Sequence, residues 1–286
     1  PQPLSAPRQA CYAHRIMLNE LLSDHGALAL ALALGGMLAA GFAKGVVGFA
    51  LPMIAISTIG SVLPAPLAVA AIIGPAVITN IWQTFRQGLG AAWESLRRFW
   101  LLNLVMFGSI AVTAQLVTVL SEAALFAILG IGVCGFALIQ LLGLRMPRPS
   151  PRRLKVVEAC VAMVAGFFGG LSGVWGPPIL MYFMALELPK VEMVRAQGVS
   201  FLLGSMILVA AHLRSGLLLG EGGQLSALMV LPAMAGMALG LMVQDRLDQA
   251  RFRKATLIVL VIAGRWRRSS WRWWWIACPR RARARS

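Results

Sequence analysis

Charged residues cut the chain into long uncharged runs at 26–43, 45–85, 99–120, 123–144, 159–186, 196–211 and 222–244. A helix needs about 20 apolar residues to cross a hydrocarbon core of about 30 Å. The runs 99–120, 123–144 and 222–244 fit one span each, and 196–211 does so when extended through Val194 and Leu213. Two stretches are too long for one span. Between Gly26 and Phe85 only Lys44 is charged, and Pro64 and Pro66 divide this region into 26–63 and 66–85. Thirty-eight residues of helix would reach about 57 Å, so 26–63 must break. The natural place is Gly41-Phe-Ala-Lys-Gly-Val-Val-Gly48 with Pro52 after it. The stretch 156–188 poses the same problem and breaks at Gly166-Phe-Phe-Gly-Gly-Leu-Ser-Gly-Val-Trp-Gly-Pro-Pro178.

The two breaks are related. Setting residue 41 against 166 without gaps aligns Gly41/Gly166, Phe42/Phe167, Gly45/Gly170, Gly48/Gly173, Pro52/Pro177, Ile54/Ile179, Leu63/Leu188 and Pro64/Pro189. The sequence therefore predicts an all-α polytopic membrane protein of about eight spans in two homologous halves, each with a broken first helix. The expected divisions are an extension at 1–25, a first repeat at 26–144, a linker at 145–155 and a second repeat at 156–264.

The linker carries three prolines and five basic residues, which predicts a cytoplasmic position. The segment 86–98, with Arg86, Arg97 and Arg98, reads as a loop on the same side if 99–120 and 123–144 form a hairpin turning at Ser121-Glu122. An eight-span count puts 245–254 outside, against its four basic and two acidic residues. After Gly264 the chain turns to Arg/Trp-rich wording, from Arg265-Trp-Arg-Arg onward. Residues 265–286 read as a reading-frame shift; the alternative is an interfacial anchor.

Composition sharpens this picture. The 286 residues are 59% hydrophobic and only 13% charged, with a mean hydropathy of +0.78. A soluble domain carries about 25% charged residues. The net charge of +16 suggests nucleic acid, but the basic residues flank apolar runs or lie in the tail, so no nucleic-acid binding is expected. Cys11, Cys134, Cys160 and Cys278, with His14, His25 and His212, show no metal-ligand spacing, so no metal or cofactor is expected. No HxxxH or DxxxD set supports an intramembrane enzyme, and no P-loop supports direct ATP drive.

Non-helical backbone inside a membrane is tolerated only where protein buries it or a wet cavity adjoins it. Matched Gly/Pro interruptions therefore point to a transport site, expected here at the midplane. Their free N–H groups suit an anion. Tight helix packing at small residues is the competing explanation. Lys44, a lone intramembrane cation, would attract an anion or else snorkel to the interface. Asn80 and Ser205 take equivalent positions on the helices after the breaks, accompanied by Gln83, Gln197 and Ser200. Ser172 and Trp175 could supply a hydroxyl and a wall within the second break. Arg195, near Glu187 and Glu192, reads as part of a solvated ion pair in a loop.

On the run Gly41–Gly48 with Phe49 and Pro52, the Leu63-Pro64 step with Ala68 after it, and the second copy from Gly166 to Pro178, residues 26–264 resemble the sulfite exporter TauE/SafE family of permeases. The resemblance implies a multi-pass protein of the bacterial inner membrane moving sulfite, an organosulfonate or a related small anion. It places Gly45, Gly48, Pro52, Gly170, Gly173 and Pro177 in the repeated motif. Partners expected are the small anion and the lipid bilayer, with coupling ion and oligomeric state open. The alternatives are a non-transporting assembly or scaffold protein and, behind it, an intramembrane enzyme.

Overall fold

The computed structural model describes residues 26–116, 146–172, 175–214, 217–252, 254–256 and 258–259. The expected span at 123–144, the Ser121-Glu122 turn, residues 1–25 and the Arg/Trp-rich tail lie outside them.

Nine helices are bounded among the described residues: α1 (Ala27–Val47), α2 (Leu51–Ile59), α3 (Ala65–Phe85), α4 (Leu89–Arg98), α5 (Trp100–Leu116), α6 (Leu154–Ser172), α7 (Gly176–Ala185), α8 (Lys190–Arg214) and α9 (Glu221–Arg246). Among the described residues four helices are long and apolar enough to cross a membrane, at Ala27–Val47, Leu67–Phe85, Lys190–Arg214 and Glu221–Arg246. A fifth is formed if Leu89–Arg98 and Trp100–Thr113, bent by 74°, make one span. Many large apolar side chains face outward, Leu28, Leu104, Val112 and Leu231 among them. Lipid is the solvent such a surface fits.

Both long stretches break where glycine and proline predict. α1 ends at Gly48, in the left-handed conformation at φ 85°, and Ala50 follows at φ 81°. Residues with a Cβ rarely adopt that region, so the turn into α2 is a backbone conformation enforced by its surroundings. α2 folds back along α1 so closely that a side chain on Gly36 would strike Thr58. α6 likewise stops at Ser172, and α7 starts at Gly176 with Pro177 and Pro178 in its first turn.

Two pairs of helices cross at close range. Gly41 and Gly45 of α1 lie against Gly236, Gly240 and the carbonyls of Ala233 and Met237 on α9. Gly166 of α6 lies against Met106 and Ser109 of α5. A side chain at any of these glycines would overlap backbone or Cβ, so glycine sets the helix separation. Gly166 aligns with Gly41, so equivalent residues make equivalent packing. The helices run parallel within each pair.

Basic segments gather at one end. Arg86 pairs with Asp245 at 2.6 Å, Arg98 pairs with Glu192, and Arg148 lies 3.7 Å from Glu187. Lys190 caps α9 through the Gln244 carbonyl at 2.9 Å. Two loops of the sequence reading become helices here. Residues 89–98 form amphipathic α4 with Leu89 and Trp93 exposed and Arg97 and Arg98 in its last turn. Arg195 lies on α8, where its guanidinium binds Ser95 at 2.7 Å and Gln87 at 3.0 Å and forms its ion pair with exposed Glu94 at 3.9 Å; Glu192 and Glu187 go to other partners. Charge density marks a boundary of the apolar runs there, yet helical periodicity continues through it.

Candidate functional site

Lys44 sits on the last turn of α1, one turn before the break, and is 3% exposed. Its ammonium donates to Thr79 Oγ1 at 2.9 Å and to Asn80 Oδ1, both on α3. Two charged side chains are buried among the described residues, Lys44 and Glu158. They differ in kind. Glu158 accepts from Lys155 at 3.0 Å and from the Leu102 backbone N–H at 3.2 Å. Lys44 has two neutral acceptors and no carboxylate among the described residues. A buried cation without a counter-charge is costly; the two neutral acceptors and the C-terminal dipole of α1 offset part of that cost.

Three glutamines surround the same break. Gln83 of α3 donates Nε2 to the Gly48 carbonyl at 2.9 Å and to the Val194 carbonyl at 2.7 Å. Gln244 of α9 donates to the Val46 carbonyl at 3.1 Å. These amides satisfy carbonyls that the end of α1 leaves free. Gln197 of α8 is fully buried, and neither of its amide atoms has a partner among the described residues. A Cβ on Gly48 would meet Gln197 Oε1 and Gln83 Nε2 together, so both side chains converge on that glycine. Gln83 Oε1 and Thr84 Oγ1 are also buried and unpartnered.

At the second break the described side chain is apolar. The Trp175 indole lies between Gly169 of α6 and Gly204 of α8, with Phe201 at 6.4 Å between ring centroids. In the register that sets Gly41 against Gly166, Gly169 is the counterpart of Lys44 and Gly204 that of Thr79. Where one half bridges its helices with an ammonium, the other leaves space for an indole. The interruptions themselves adjoin: a Cβ on Gly176 would lie 3.8 Å from Phe49.

Lys44, Asn80, Gly48, Gln83 and Gln197 thus share one region, and the structure adds Thr79 to them. Trp175 stands at the neighbouring break. Gly45 faces α9 rather than the break, and Ser205 donates to the Leu202 carbonyl of its own helix at 2.8 Å. Pro52 and Pro177 occupy first turns, and Pro177 with Pro178 removes two N–H groups at the start of α7. The second break therefore offers fewer free amides than the symmetric expectation. Gly170 is half-buried on α6; Gly173 and the Ser172 side chain are outside the described residues. Thr79 carries a signal in the sequence: it is polar, next to Asn80, in an otherwise apolar run. The register that brings it to Lys44 is not readable there.

The first break packs beside the C-terminal turns of α9. Gln244, which binds Val46, immediately precedes Asp245, and Asp245 is exposed and paired with Arg86. The break thus lies toward the basic end of α9.

The family model described as Sulfite exporter TauE/SafE matches residues 32–266. Comparison with the curated proteins and with the solved structures gives no match.

Proposed function

The chain belongs to the sulfite exporter TauE/SafE family, and we propose that its cargo is a small oxyanion, sulfite or an organosulfonate, held beside Lys44. It is a membrane transporter by that membership; cargo and site are the further step. One observation carries them: a buried ammonium at a helix interruption whose acceptors among the described residues are all neutral. An oxyanion supplies the missing counter-charge, and charge-assisted bonds are about twice as strong as neutral ones. Asn80 and Thr79 hold the ammonium in place, and Gly48 lets backbone and ligand approach.

The halves then act as inverted repeats. The first hairpin, α1–α2, turns near the basic end, whereas α6–α7 starts and finishes there. Equivalent packing at Gly41 and Gly166 favours this relation. Discontinuous helices at the interface of inverted repeats are a recurring transporter arrangement. We place the protein in the bacterial inner membrane with the basic end in the cytoplasm.

A scaffold reading has one observation in its favour, the close packing of Phe49, Trp175 and Phe201, all buried, between the interruptions. In the transport reading these rings are the closed barrier. Sulfite flux into proteoliposomes decides between the two. Wild-type flux above empty liposomes, reduced at least tenfold by Lys44→Gln, is the expected result. A folded wild type that moves no sulfite, sulfoacetate or other anion of a small panel removes the transport reading.

A further inference from the structure

We infer that Gln197 and Gln83 form a selectivity element for monoanions that carry a hydrogen-bond donor of their own. The inference rests on the reading that Lys44 holds an anion. Gln83 is fixed in orientation, because two carbonyls, Gly48 and Val194, each accept from its Nε2. Its Oε1 is therefore turned away from them, buried and unpartnered among the described residues. Gln197, at 0% exposure, has no partner for Oε1 or Nε2 among the described residues, and its Oε1 is aimed at the Gly48 turn. In this orientation an amide acceptor faces that turn.

Buried amide oxygens without donors are expensive. A bare anion relieves Lys44 but leaves both carbonyl oxygens unsatisfied, and adds negative charge beside them. An anion bearing an O–H or N–H satisfies an oxygen as well. Sites built to hydrogen-bond a ligand hydroxyl reject the analogue lacking it far more strongly than apolar pockets reject an extra group. A single fixed ammonium further suits a single negative charge. The ligand class is thus a protonated oxyanion, or a sulfonate substituted with hydroxyl or ammonium.

Competition against sulfite flux in proteoliposomes tests this with two pairs matched in size and charge: hydrogen carbonate against nitrate, and 2-hydroxyethanesulfonate against propane-1-sulfonate. The donor-bearing member of at least one pair should inhibit at about tenfold lower concentration or better. Gln197→Met should bring that ratio close to one, the ratio being taken within the variant so that a change in its absolute flux cancels. The same variant should melt no lower than wild type, since it removes unsatisfied polar atoms; a structural amide would show the opposite. Equal inhibition within both pairs, no competition by any of the four, or an unchanged ratio in Gln197→Met overturns the inference and leaves anion transport standing. Absence of Lys44-dependent flux for wild type overturns both.

Discussion

Lys44 is visible in the sequence because it interrupts a stretch, Gly26 to Phe85, that holds no other charge. Its pairing with Thr79 and Asn80 is not, because both are neutral and nothing in the spacing says which face of α3 meets α1. The two sides of the contact have opposite consequences for stability. Replacing the whole cation by an apolar group of similar length removes a buried charge and its desolvation cost; such replacements are often neutral or stabilising. Lys44→Met should therefore keep or raise the melting temperature in detergent while abolishing anion flux. Asn80→Leu leaves the ammonium with Thr79 alone among its present acceptors, and should destabilise by about 1–3 kcal/mol. Thermal melts of the two purified variants, read beside their transport, check this. If Lys44→Met unfolds the protein, the lysine is a structural strut and not a binding group.

At the scale of elements, the interruptions are legible because glycine and proline mark places where helix cannot continue. What those glycines do is less legible. Gly48 makes a turn at positive φ, whereas Gly45, three residues earlier, makes a helix crossing. Both belong to one motif, and only packing against α9 separates their roles. Amphipathic α4 is a helix where its charges read as a loop: Ala92 and Ser95 point inward at helical spacing while Glu94, Arg97 and Arg98 stay exposed. Gly45→Leu should prevent α1 from approaching α9 and abolish recovery of folded protein, since the overlap is with Met237 and Gly240 backbone. Gly35→Ala, on the same helix with open space around it, should stabilise by about 0.5–1 kcal/mol. Size-exclusion profiles and melts of both variants measure the contrast. Equal behaviour would mean that α1 and α9 do not meet through their glycines.

For the whole molecule, the difficulty is direction. Counting eight simple spans places 245–254 opposite 86–98, in conflict with their shared positive charge. The Arg86–Asp245 pair and the Lys190 cap bring both segments to one end. The conflict disappears because each broken stretch goes in and comes back: α1 with α2 returns to the end it left, and so does α6 with α7. A sequence shows that a helix breaks; whether the chain then continues or reverses depends on packing such as Gly36 against Thr58. Sidedness follows from the same argument. Arg152, just before α6, and Arg251, just after α9, are exposed and belong to the basic end. In a cysteine-free background, Arg152→Cys and Arg251→Cys should therefore react with an impermeant thiol reagent only after the cytoplasmic face is opened. Leu219→Cys, at an exposed position just before α9, should react in intact cells. Labelling of Arg152→Cys and Arg251→Cys from opposite faces would separate segments that the ion pairs join, and would return the molecule to a plain eight-span path without reversals.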